Sequence, residues 1–429
     1  MPGQDGYADA ATVMFAAGTP DLVVRPDGPA GVADALGYAA ETGLTVSVRS
    51  GGHSMSGLST HTDGMVIDLR PISGVRILDR ASGLVRVGAG ATWGAVADAL
   101  RPAGLAISSG DTRGVGVGGL ALGGGIGWLV RRYGLAIDSL AGADLVTAAG
   151  QAIRADAASH PGLFWALRGG GGNFGVVTSF DFIAQPVTEV TYGKLAFQVD
   201  LAPGGLPRFL AGWRDRMAAG DDNLTTTVSV MPPMGGRPPL VELACCYASA
   251  DERAGTAALR PFRALAPVAA DDVRVRPYAE VLEEAQPMPP GLRVEMRDAL
   301  FAQLDADSIE RIAVLVRGGA AVAVRSLGGA AARVPAGATA FAHRDATALV
   351  MAGIMLPASA PPEAAAGHLD RWAAVANRGI GGYVNFLGSA TPADVAACYP
   401  PATYERLAEV KRRYDPANVF RRNHNIRPA

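Results

Sequence analysis

The sequence predicts a mixed helix-and-sheet protein of the α+β class, in two parts, and three observations carry that expectation. Strand-like and helix-like segments alternate through roughly the first 180 residues. From about residue 185 the texture changes to strand-like runs interleaved with long Ala/Arg helices. Glycine, 55 of 429 residues, has no G-X-Y period and thins beyond that boundary.

Taken in order, Leu22–Pro26 reads as a strand. Ala30–Thr42 reads as a helix, with Val32, Leu36 and Ala39–Ala40 spaced for one face and Gly43 suited to cap its end. Leu44–Val48 is a second strand, so the three segments form a β-α-β unit. Met65–Leu69 and Leu84–Gly88 are further strands. Thr92 can cap a helix running to Leu100, in which Val96 and Leu100 share a face. Ala143–Thr147 and Ala152–Arg154, turning at Gly150, read as a hairpin. In the second part Lys194–Val199, Thr225–Met231 and Val241–Tyr247 are strand-like and Asp307–Arg317 is helical. A last helix near 403–413 is stopped by Pro416.

Composition removes several function classes. With 38 Lys+Arg against 40 Asp+Glu there is no basic excess for nucleic acid. Cys245, Cys246 and Cys398 cannot make a disulfide framework, and no Cys/His metal spacing occurs, so no metal is expected. No apolar run approaches membrane-spanning length, and the N-terminus lacks secretory-signal character. A reduced cytoplasm is the expected setting. Of the basic residues only Lys194 and Lys411 are lysine, which reads as coding bias.

Three glycine clusters carry the chemistry. Arg49-Ser50-Gly51-Gly52-His53-Ser54 follows directly on a strand, and such a turn presents successive backbone N–H groups to a phosphate or a flavin edge. Gly110 to Gly127 holds nine glycines (110, 114, 116, 118, 119, 123, 124, 125 and 127) in eighteen positions. Within it Gly114-x-Gly116-x-x-Gly119 matches the dinucleotide fingerprint in letters, but it follows a loop instead of a strand. An extended backbone loop around a pyrophosphate fits better. Gly169–Gly172, Asn173 and Gly175-Val176-Val177-Thr178 form the third cluster.

With these residues in view, the sequence resembles the FAD-linked oxidases of the berberine bridge enzyme type, whose flavin domain is shared with the vanillyl-alcohol oxidase superfamily. The resemblance spans nearly the whole chain: RSGGHS at 49–54, VGVGGLALGGGIG at 115–127, RYGLAIDSLAGADLVTA at 132–148, LFWALRGGGGNFGVVT at 163–178, GYVNFLG at 382–388 and YDPANVFRRNHNI at 414–426. It looks closest to the bacterial 6-hydroxy-D-nicotine oxidase group. It implies a PCMH-type FAD-binding domain over 1–185 plus about 390–429. A substrate domain built on an antiparallel sheet with helices would occupy 186–389.

By the same resemblance His53 is the covalent attachment point for the flavin. Relatives add a cysteinyl bond from a G-x-C-x-x-V-G loop; here Thr112 replaces the cysteine, so one link is expected. Val115 goes with dioxygen access, and Gly110, Asp111, Asn385 and Asn423 with flavin contacts. On the strand Val322–Gly329, Ala323, Arg325 and Leu327 stand where nicotine-oxidase relatives carry acids and lysine. Arg325 suggests an anionic or carbonyl-bearing substrate, and Tyr383 and Tyr404 are candidate bases or hydrogen-bond donors. His343-Arg344-Asp345 reads as structural. The expected activity is oxidation of an alcohol or amine carbon of a small metabolite, with dioxygen reduced to peroxide. A metabolite-sequestering flavoprotein and a dehydrogenase with another acceptor are the alternatives, and a homo-oligomer is left open.

Overall fold

The computed structural model describes residues 1–233, 239–286 and 288–429. It begins from the expected β-α-β unit: β1 (Leu22–Val24), α1 (Pro29–Thr42) and β2 (Val46–Arg49). β3 (Met65–Asp68) lies between the two strands, giving a parallel sheet of order β1-β3-β2. Pro29 opens α1 with its φ already set, and Gly43 closes it at φ 72°, its N–H bonded to Ala39 O. Val32, Ala35, Leu36 and Ala39 form the buried stripe, whereas Ala40 is exposed.

A five-stranded antiparallel sheet of β4 (Val75–Asp79), β5 (Leu84–Gly88), β6 (Leu140–Val146), β7 (Ala152–Asp156) and β8 (Val176–Ile183) follows, in the order β7-β6-β8-β5-β4. Thr92 caps α2 (Trp93–Leu100) by accepting from Ala95 N. The loop expected to be extended from Gly110 to Gly127 instead contains a short helix, α3 (Val117–Gly123). Val117, Ala121 and Leu122 explain it, because a helical turn buries all three in the first core. α4 (Pro161–Leu167) ends at the third glycine cluster, which leads into β8.

The second part is an eight-stranded antiparallel sheet built from β9 (Glu189–Phe197), β10 (Leu224–Met231), β11 (Leu240–Tyr247), β12 (Val268–Asp271), β13 (Arg274–Pro277), β14 (Leu292–Phe301), β15 (Ala321–Ser326) and β16 (Ala348–Pro357). Its order is β12-β9-β11-β10-β15-β16-β14, with β13 also on β9. The period of two sorts its side chains. Leu195, Leu243, Val228, Val324 and Val350 pack against Phe209 and Trp213 of α5 (Gly205–Ala218), Ile312 of α6 (Ala306–Arg317) and Trp372 of α7 (Ala366–Ala376). Tyr192 and Leu349 turn to the other face, toward the glycine-rich part. α8 (Pro401–Tyr414) and the tail return to the first core through Leu407, Ala408, Phe420 and Ile426.

Candidate active site

A cavity of about 420 Å³ is lined by all three glycine clusters, the tail and residues 383–387. Its narrowest construction joins two loops backbone to backbone. A Cβ on Gly51 would stand 2.3 Å from Gly116 N, and one on Gly116 would stand 2.1 Å from Gly51 N. No side chain can rotate away from a backbone clash, so both positions need glycine. Ser50 staples the pair, its Oγ donating to Ala89 O at 2.6 Å and accepting from Gly118 N at 3.2 Å.

His53 lies on this wall. A Cβ on Gly114 would come 3.0 Å from its Nε2, so the ring rests where only a bare backbone leaves room. Burial lowers the imidazole pKa, and the nearby Arg49 charge lowers it further. The ring is therefore held neutral, with a lone pair available to an electrophile. Arg49 itself does not line the cavity; its Nη1 donates to Asp9 O and Ala10 O at 2.6 and 2.7 Å, tying down the N-terminal segment.

The far wall is assembled by Lys411. Its fully buried ammonium donates to Asn173 O, Phe420 O and Asp415 Oδ2 at 2.8, 2.8 and 2.7 Å. Asn173 accepts from Ile426 N and donates to His424 O. The third glycine cluster and the tail are thereby one structure. Two buried oxygens on the cavity lining, Ser59 Oγ and Asn423 Oδ1, have no partner among the described residues. Arg422 is the cationic side chain of Lys/Arg type on that lining. Tight backbone loops, orphaned polar atoms and one arginine fit a long, polar, anionic dinucleotide.

The comparisons agree with this geometry. The family described as "FAD binding domain" matches residues 20–156, and that described as "Berberine and berberine like" matches residues 382–427. (R)-6-hydroxynicotine oxidase of Paenarthrobacter nicotinovorans is 34% identical over 431 residues, covering 95% of this chain and 91% of the relative. The chain belongs to the berberine bridge-like FAD-linked oxidases. A xylooligosaccharide oxidase of Thermothelomyces thermophilus is 28% identical over 447 residues, covering 96% of this chain and 88% of its own. Among solved structures, 6-hydroxy-D-nicotine oxidase from Arthrobacter nicotinovorans superposes with a TM-score of 0.88 at 30% identity, covering 100% of this chain and 97% of the other. The protein is thus an FAD-dependent oxidoreductase with the PCMH-type fold.

Against this family frame the expected site residues divide. Ser50, Gly51, Gly52, His53, Ser54, Gly110, Asp111, Val115, Gly116, Gly118, Gly119, Gly175, Val176, Val177, Asn385 and Asn423 line the cavity, as does Thr112. Gly123, Gly124, Gly125 and Gly127 do not; they give room to neighbours. A Cβ at Gly123 would strike the Asn385 amide at 2.1 Å, and one at Gly127 would strike Ser109 O at 1.6 Å. Gly124 lies under the Tyr383 ring and Gly125 against Ala136.

Of the three candidate catalytic residues, Tyr383 alone reaches the cavity. Its hydroxyl accepts from Gly125 N at 2.9 Å and Asn385 Nδ2 at 2.8 Å, and burial pushes its pKa up to about 12. It stays protonated near neutrality, so it can donate but is a poor base. Arg325 stands behind the wall, paired with the Asp111 carboxylate and 5.5 Å from the Trp128 ring centroid. Its charge is taken, which corrects the expectation of an arginine free for an anionic substrate. Tyr404 lies on α8, away from the cavity, where its hydroxyl accepts from Arg427 N at 3.2 Å. Arg344 pairs with Asp138 at 2.8 Å, in keeping with a structural role. Sequence reasoning left out Gln286 and the N-terminal Met14 and Phe15, which also line the cavity and carry no motif, and did not single out Phe386 within GYVNFLG.

Proposed function

We propose that this oxidase holds FAD through a single covalent bond to His53 and oxidises an alcohol or amine carbon of a small molecule, with dioxygen as the electron acceptor. The observation that carries the reading is His53 itself. It is a neutral imidazole on the cavity wall beside Gly114, its pKa lowered by burial and by the Arg49 charge. FAD, when bound, supplies the hydride acceptor and passes the electrons on to dioxygen, yielding peroxide.

The remaining work falls to the chain. The Gly51–Gly116 contact and the Lys411 knot fix the two sides of the dinucleotide site. Tyr383 offers its O–H to a bound substrate, because both N–H groups around its oxygen are donors. Thr112 replaces the thiol that a second covalent link needs; its hydroxyl donates to Asp111 Oδ1 at 3.2 Å. Val115 is a small side chain on the lining, which supports access for dioxygen.

Photoreduction of the holoenzyme without oxygen, followed by admission of air, tests the acceptor. The reading expects prompt return of the oxidised flavin spectrum with about one peroxide per flavin. Flavin that stays reduced in air, and reoxidises only with a quinone, contradicts it.

A further inference from the structure

On the face turned away from its helices, the large sheet carries a strip of partly exposed positions near the flavin cavity. Cross-strand register sets Met351, Ala323, Ser229, Glu242 and Ala196 in one row over β16, β15, β10, β11 and β9. All five are partly exposed. The next row inward, Leu349, Arg325, Thr227 and Ala244, is buried. The rows come near the flavin site on their β15–β16 side: Arg325 holds Asp111 on the cavity wall, and Met351 packs against the cluster that includes Tyr383. Small side chains thus floor an open strip, and methionine, whose side chain adapts to varied apolar shapes, closes one end.

Glu242 is the charged member of that row. It sits on a central strand, half-buried, and Lys194 Nζ is 3.8 Å away while standing only 2.8 Å from Glu283. Around it Glu242, Glu283 and Asp272 face Lys194 and Arg276, an excess of one carboxylate. Burial also raises the Glu242 pKa, so its negative charge lacks full compensation. Two strand spacings and a two-residue step put Glu242 about 12 Å from Arg325.

We propose that Glu242 is a specificity-determining residue that receives a cationic group carried by the substrate, remote from the carbon that reacts at the flavin. The substrate class is then an elongated molecule with an apolar middle and a positively charged far end. The inference rests on the flavin-site reading, since that cavity defines the near end.

The test uses 4-phenylbutylamine and the isosteric 4-phenylbutanol, with binding followed by perturbation of the flavin absorbance of anaerobic holoenzyme. Wild type should bind the amine about tenfold more tightly than the alcohol. Glu242→Gln should erase the preference without changing flavin content, and Ser229→Lys, which sets an ammonium cross-strand from Glu242, should do the same with the carboxylate still present. Acidification should weaken the preference in wild type as Glu242 takes up its proton, and leave E242Q flat. A preference that persists in E242Q, or is missing from wild type, overturns the proposal. Binding needs no turnover, so a peroxide-negative protein that keeps the Glu242-dependent preference faults the oxidase reading alone.

Discussion

Asp298 shows how a single buried group ties the sheet to the site. It faces Tyr383 from β14, and its Oδ1 accepts from Tyr383 N at 2.6 Å while Oδ2 has no partner among the described residues. Burial raises its pKa to about 7, the Asp394 charge adds to the rise, and the Tyr383 N–H opposes it. The folded state therefore favours the protonated form. Stability from that preference is complete below the unfolded value of 3.8 and is lost as pH rises through about 7. Asp298→Asn keeps an acceptor for Tyr383 N–H and removes the titration. The substitution should leave stability near wild type at about pH 4 and make the protein more stable than wild type by a few kcal/mol above neutrality. Denaturant unfolding at the two pH values checks this, and an equal difference at both would refute it. None of this was legible in the sequence, because Asp298 and Tyr383 are brought together only by the strand-to-loop packing.

At the scale of elements, the glycine clusters were legible because their cause is local. A run of glycines after a strand means backbone must approach something closely, and the Gly51–Gly116 contact is that approach. Gly51→Ala puts a methyl group 2.3 Å from Gly116 N, which neither backbone can avoid without the loops parting. The expected outcome is folded protein with flavin content reduced at least tenfold, read from the absorbance ratio of flavin to protein; normal loading would mean the loop contact is dispensable. The helix at Val117–Gly123 was missed because glycine content argues against helix, whereas burial of Val117, Ala121 and Leu122 outweighs that propensity. Arg325 and Tyr404 were misjudged for a related reason. Residue type suggested chemistry, but Asp111 and the Arg427 backbone, distant in sequence, occupy them.

Over the whole molecule, the second part was the less legible. Its strands could be recognised, yet their order β12-β9-β11-β10-β15-β16-β14 brings Glu242 beside Ser229 and Ser229 beside Ala323 through pairings no local pattern announces. The tail was legible through its motif, and the buried Lys411–Asp415 pair supplies the reason: one fully buried ammonium joins Asn173 to Phe420. One of two lysines in an arginine-rich chain thus closes the flavin site. On the proposed reading, these parts together hold a dinucleotide between the glycine loops with its ring end at His53. The intact mass of the denatured protein tests that convergence most directly. Wild type should remain heavier than its polypeptide by one FAD, and His53→Ala should show the polypeptide mass alone while its flavin passes into the supernatant. Wild-type protein at bare polypeptide mass, or His53→Ala still carrying FAD, would contradict the account.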